Sequence, residues 1–123
     1  MSNPGGMELP AWFGTPVGDR AGADVGTIRD VYFDEATARP AWLLVDSASG
    51  LVLVPAAGAS LRSDHVAVPH AWAVITCAPV VASPPPVLAG EPLLRMARHY
   101  GIRVDRCSSC VAVRVPTHAA LAA

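Results

Sequence analysis

The sequence contains no lysine, and charged residues make up only 15% of its 123 residues. The formal net charge is −1, so the chain has no overall field that would attract nucleic acid or an anionic membrane. No apolar run approaches the roughly 20 residues that a membrane-spanning helix requires. Residues 1–10 lack the basic start and apolar segment of a secretory signal. These absences predict a soluble, cytoplasmic protein without a membrane span.

Cysteine is scarce, and its pattern argues against a resident metal or cofactor. Cys107 and Cys110 have the spacing of a metal knuckle or a redox pair. Zinc requires four ligands, however, and Cys77, His99 and His118 have no ordered spacing to this pair. A redox pair would stand at a helix N-terminus, whereas a strand is predicted to follow here. We expect two ordinary thiols in a turn; a thiol or metal site is the minor alternative.

Catalytic constellations are also missing from the sequence. Asp30 and Asp34 share one face of a predicted strand, but the rise per residue would separate them by about 13 Å. The four histidines have no nucleophile motif near them, and no glycine-rich phosphate loop is present. The chain is therefore predicted not to be an enzyme.

Between Trp12 and Pro69, short runs of valine, isoleucine and aromatic residues alternate with glycine, proline, aspartate and serine about every ten residues. This spacing predicts a small antiparallel barrel or sandwich of five or six strands. Asp19–Asp24, centred on Gly22, is predicted to be a hairpin turn. The predicted strands are Phe13–Val17, Val25–Asp34, Ala41–Asp46, Leu51–Pro55 and His65–Pro69, with a short sixth around Ser60.

The chain from His70 onward has a different pattern. His70–Thr76 is predicted to form a short helical turn, and Pro79–Pro92, with five prolines, an extended connector. Glu91–Tyr100 has helical apolar spacing and is followed by Gly101, a residue typical of helix ends. Val111–Val115 alternates like a half-buried strand.

These patterns divide the chain into four parts. We expect a flexible leader over 1–10, a barrel domain over 11–78 and a proline-rich connector over 79–92. Residues 93–123 should form a helix and a terminal strand that pack on the barrel or on a second subunit.

Glycines, prolines and apolar residues follow one another in a characteristic order along the predicted barrel. The order is Gly14, Pro16, Val17, Gly22, Val25, Gly26, Ile28, Asp30, Val31, Phe33, Asp34, Pro40, Trp42–Val45, Leu51–Pro55 and Val66–Pro69. This run resembles the PRC-barrel domain, found in photosynthetic reaction-centre H subunits and in a ribosome-maturation factor. Glu91–Gly101 resembles the tail of stand-alone bacterial members.

The resemblance implies a mainly β protein: a small PRC-type antiparallel β-barrel with a short C-terminal helix and an extra terminal strand. It supplies no catalytic residues, and it implies that the barrel serves as a docking surface. The leading prediction is therefore a non-catalytic protein-binding or scaffold module whose partner is unknown.

Three groups of residues are candidates for contact with a partner. Trp72 follows the barrel and would make a natural anchor if exposed. Arg95, Arg98 and Tyr100 lie on the predicted helix, within a C-terminal third that carries five arginines and two acids. The third group is the terminal strand, whose open edge could pair with a second copy to give a homodimer. Its candidate residues are Val111, Val113 and Val115.

An alternative function uses the basic third as a ribosome- or RNA-associated accessory surface. Arg95, Arg98, Arg103 and Arg106 lie close together in sequence. No aromatic platform is interleaved with them, and short amphipathic helices commonly have a charged outer face. RNA binding is accordingly the weaker prediction.

Overall fold

The computed structural model describes residues 12–104 and 109–112, and eight strands in these residues form a single sheet. In chain order the elements are β1 Pro16–Gly18, β2 Asp24–Asp34, β3 Pro40–Ser47, β4 Gly50–Pro55, β5 Ser60–Leu61, β6 Val66–Ala67, α1 Trp72–Thr76, β7 Val87–Ala89, α2 Gly90–Tyr100 and β8 Ser109–Ala112. The mainly β fold is confirmed. The expected leader over 1–10 lies outside the described residues.

The sheet follows the order β4-β3-β2-β1-β6-β5, and β1 pairs with β6 in parallel while the other neighbours are antiparallel. Within the described residues, no strand pairing joins β5 to β4 to close the ring. The long strand β2 organises the sheet, because β3 pairs along most of one edge. Its other edge is shared: the first half pairs with β1, and Tyr32–Asp34 pairs with β8.

A bend in β2 lets one strand serve both halves of the sheet. The register with β3 shifts between Ile28 and Asp30 and again between Tyr32 and Phe33, as at β-bulges, which increase local twist. Gly26 has a φ of +157° and lies against the backbone of Asp46. Any side chain there would overlap the Asp46 carbonyl oxygen, so only glycine fits this close approach.

The apolar residues divide into two clusters on opposite faces of the sheet, because successive strand residues point to opposite faces. In β3, Leu43 and Val45 face one cluster, and Trp42 and Leu44 face the other. The "barrel core" is the first cluster: Val17, Val25, Ile28, Val31, Leu43, Val45, Val52, Val54, Ala56, Val66, Val68, Ile75 and Ala78. The "outer core" is the second: Tyr32, Trp42, Leu44, Leu53, Leu88, Leu93, Met96, Ala97 and Cys110.

Most predicted elements lie where the pattern placed them. The turn at Gly22, the central strands and the helical turn before Cys77 are confirmed. Helix α2 ends as predicted at Gly101, which has a left-handed φ of 70°.

Three elements differ from the predictions. Strand β8 begins at Ser109 instead of Val111, so Cys110 lies in this strand and not in the predicted turn, because β8 pairs with both β2 and β7. The first strand begins at Pro16 instead of Phe13. The connector predicted over 79–92 contains β7, and α2 already begins at Gly90. The reason is long-range pairing, since Val87–Ala89 becomes a strand by hydrogen bonding to β8.

Candidate binding surfaces

Trp72 stands at the start of α1 with 48% of its surface exposed. Its backbone is nevertheless held firmly. The Asp19 carboxylate accepts hydrogen bonds from the N–H groups of Ala21 and Ala23 through Oδ1, at 2.8 and 2.7 Å, and from the N–H of Trp72 through Oδ2, at 3.0 Å. Asp19 therefore ties the β1–β2 turn to α1 and presents the indole from a fixed position.

These hydrogen bonds also act on the charge of Asp19. The pKa of its carboxyl lies below the ordinary value, chiefly because the Ala23 N–H stabilises the carboxylate, with smaller contributions from the N–H groups of Ala21 and Trp72. Asp19 is thus ionised at neutral pH although it is buried. Sequence reasoning treated it only as a turn residue, and its contact with Trp72 joins positions 53 residues apart.

Tyr100 is half-buried where α2 meets β4. Its hydroxyl donates a 2.7 Å hydrogen bond to the carbonyl oxygen of Leu53. Its ring lies 5.1 Å from that of His70, 4.9 Å from that of His99 and 6.0 Å from that of Trp42. Burial raises the pKa of the phenol above its ordinary value. Tyr100 was predicted to contact a partner. In the structure its side chain joins α2 to β4.

Arg95 and Arg98 are both exposed on α2, but their surroundings differ. Arg98 forms an ion pair with Glu91, with Nη2 2.9 Å from Oε2. Arg95 has no ion pair among the described residues. Instead it lines a groove of about 340 Å³ between α2, β4 and the proline-rich segment. We call this the Arg95 groove; its lining residues are Leu53, Pro79, Val80, Val81, Ser83, Pro85, Leu88, Pro92, Arg95 and Met96.

The groove was not predicted from the sequence. The five prolines signalled an extended segment, but they gave no indication of which side of the barrel it would cover. Val80 lies on this segment with 54% of its surface exposed. The N–H of the next residue, Val81, donates to the carbonyl oxygen of Leu51 at 2.7 Å, which fixes the segment along β4.

The terminal strand does not offer the open edge that was expected. Val111 pairs with Phe33 of β2 on one side and with Val87 of β7 on the other. Both edges of β8 are therefore occupied within the chain at this residue, and pairing with a second subunit cannot occur there. The structure corrects that expectation for Val111, because β7 formed where a connector was predicted; Val113 and Val115 lie outside the described residues.

Cys110 is buried in the outer core, and burial raises the pKa of its thiol to about 11, with smaller contributions from the charges of Asp34 and Glu35. Such a thiol is protonated at neutral pH and is a poor nucleophile. Cys107 lies outside the described residues. Within the described ranges, no group of three or more histidine, cysteine, aspartate or glutamate side chains could hold a metal ion.

Comparison with known families matches residues 4–75 to the PRC-barrel domain, which is more than half of the chain. No curated protein matches the sequence significantly. In the part of the chain that the structure describes, no helix is long and apolar enough to cross a bilayer. The matched segment includes β1 to β6, nearly all of α1 and every residue of the barrel core except Ala78. This chain belongs to the PRC-barrel domain family.

Proposed function

We propose that the protein is a non-catalytic protein-binding module that contacts its partner through Trp72. PRC-barrel domains are modules that mediate protein interactions, which supports a binding role but names no partner. The observation that carries the proposal is an indole 48% exposed on a backbone fixed by Asp19.

Tryptophan is well suited to this role because it offers a large apolar contact area with few rotatable bonds. Its backbone is already ordered before binding, so little conformational entropy is lost when a partner covers the ring. Val74, 38% exposed on the same short helix, has its carbonyl oxygen 2.7 Å from Nε2 of His99, a second contact that holds α1 in place.

The test is a pull-down from native lysate with the tagged full-length chain at low and moderate salt, identifying both proteins and RNA. Wild type is compared with Trp72→Ala and with Val87→Ala, which truncates an equally exposed apolar residue on β7. We expect proteins that are retained at both salt concentrations by wild type and Val87→Ala but lost with Trp72→Ala. For the purified partner, the Kd should rise about 30-fold, as for an interface hot spot.

Three outcomes would contradict the proposal. The retained proteins could be the same for Trp72→Ala as for wild type. RNA alone could be captured at low salt and released at moderate salt, which would favour the accessory role of the basic third. A specific small-molecule conversion by the purified chain would make it an enzyme.

The partner can also be a second copy of the chain. Light scattering of wild type and Trp72→Ala distinguishes this case, because a homodimer formed through Trp72 becomes a monomer in the variant. A dimer unaffected by Trp72→Ala would assign self-association to another surface.

A further inference from the structure

We infer that the Arg95 groove binds an extended peptide segment in which a large apolar side chain lies next to a carboxylate. This goes beyond the proposed contact at Trp72, because it concerns another surface and names the chemistry of the ligand. It rests on the shape, the fixed walls and the charge of the groove.

The interior of the groove is apolar. Leu53, Leu88 and Met96 belong to the outer core and form its base, while Val80 and Val81 contribute a wall. A volume of about 340 Å³ lies at the lower end of the range for ligand pockets. It suits one large apolar side chain and its neighbours better than a whole folded surface.

The walls are fixed before any ligand binds. The Val81 N–H donates to the Leu51 carbonyl oxygen at 2.7 Å, and the Tyr32 hydroxyl donates to the Pro85 carbonyl oxygen at 2.6 Å. Prolines 79, 85 and 92 line the same groove and restrict the backbone on either side of these bonds. A preformed groove loses little conformational freedom on binding, which favours recognition of a short segment.

The charge of the groove determines which segment fits. Arg95 is its only charged lining residue among those described. Glu91, one helical turn earlier on α2, is paired with Arg98 and does not neutralise Arg95 in the described structure. The guanidinium can therefore form paired hydrogen bonds with a carboxylate. Among the described residues, the lining includes no aromatic ring on which a nucleic-acid base could stack, so a peptide fits better than RNA.

The experiment selects phage-displayed random octapeptides on the immobilised full-length chain. Two variants alter the groove: Arg95→Glu reverses its charge, and Val80→Arg fills it from an exposed position. Their matched controls are Arg62→Glu and Val87→Arg, which make the same changes at exposed residues outside the groove. Circular dichroism is used to check that all four variants fold.

We expect the selected peptides to combine leucine, isoleucine, phenylalanine or methionine with an adjacent aspartate or glutamate. In fluorescence anisotropy with labelled synthetic copies, Arg95→Glu and Val80→Arg should each raise the Kd at least about tenfold. Arg62→Glu and Val87→Arg should change it less than about twofold. Trp72→Ala should also leave it unchanged, so this inference and the proposed role of Trp72 can fail separately.

Several results would overturn the inference. One is the selection of peptides that lack acidic residues. Another is that wild type and Arg95→Glu select the same peptides. Equal binding by wild type and both groove variants is a third. Capture of peptides only after deletion of residues 113–123 would assign the groove to the chain's own C-terminal segment. Preferential capture of single-stranded RNA would assign it to nucleic acid.

Discussion

The two faces of the β3–β4 sheet are equally well buried, but different parts of the chain cover them. On one face the barrel core is built almost entirely from residues inside the segment that matches the PRC-barrel family. On the other, the outer core combines strand residues of that segment with Leu88, Leu93, Met96, Ala97 and Cys110 from beyond it. Antiparallel sheets commonly leave one face in water. In this chain residues 88–97 and Cys110 cover that face.

Two residues of the same part of the chain, Val81 and Tyr100, also protect the outer edge of β4. The Val81 N–H is bonded to the Leu51 carbonyl oxygen, and the Tyr100 hydroxyl to the Leu53 carbonyl oxygen. Unpaired edge carbonyls invite pairing with other chains. Residues 79–104 and 109–112 therefore complete the barrel on one face and one edge, and the variants described next test how far the two cores depend on each other.

The largest effect is expected from removing residues 79–123. This deletion uncovers Trp42, Leu44 and Leu53, and it removes buried side chains worth about 1.5–3 kcal/mol each. A small domain has only about 5–15 kcal/mol of stability in total. The remaining chain 1–78 should therefore self-associate and bind an apolar dye, as measured by light scattering and ANS fluorescence. A monomer that unfolds cooperatively would show that the barrel core is sufficient by itself.

The next largest effect is expected from Gly26→Ala, at the close approach between β2 and β3. The new methyl group would overlap the Asp46 carbonyl oxygen at a φ that favours glycine. We expect the free energy of unfolding to fall by about 4 kcal/mol. Gly22→Ala is the control, because Gly22 also has a positive φ but has open space around it. This substitution should lower the free energy of unfolding by about 1 kcal/mol. Urea denaturation measures both variants, and an equal loss of unfolding free energy in Gly26→Ala and Gly22→Ala would contradict this explanation.

Leu43→Ala and Leu93→Ala compare the two cores directly. Each leucine is fully buried, Leu43 in the barrel core and Leu93 in the outer core, and each truncation should cost about 3 kcal/mol. Urea unfolding of both variants should remain a single transition with the wild-type m-value. If Leu93→Ala instead produced an early separate transition, the C-terminal third would unfold independently of the barrel.

The smallest effect is expected from Tyr100→Phe, which removes the hydrogen bond to Leu53. The loss at neutral pH should be about 1 kcal/mol. Burial raises the pKa of Tyr100 in the folded chain, so the phenol stays protonated where an unfolded tyrosine would ionise. The wild type should therefore lose stability as pH rises through about 10, and Tyr100→Phe should lose less. Urea denaturation of wild type and Tyr100→Phe at pH 8 and at alkaline pH measures this difference. If both proteins lost the same unfolding free energy with pH, Tyr100 would make no contribution to the pH dependence.

Local chemistry explains why much of the barrel could be predicted. The continuous apolar runs of β3 and β4, the left-handed glycines at 22 and 101, and the apolar spacing of α2 each express a preference within a few residues. Strand β7 could not be predicted in this way, because Val87–Ala89 forms a strand only through its pairing with β8. The same holds for the candidate site. Trp72 was predicted as a contact residue from its residue type, but its fixed backbone depends on the distant Asp19 and could not be predicted.

The sequence by itself therefore determined the fold class, the central strands, the helix and its end, since these follow from periodicity and from the conformational freedom of single residues. Only the tertiary structure decided that β8 has no open edge at Val111, that Tyr100 joins α2 to β4, and that Arg95 lines a groove without an ion pair among the described residues. Each of these depends on contacts between residues far apart in the chain, which no local pattern encodes.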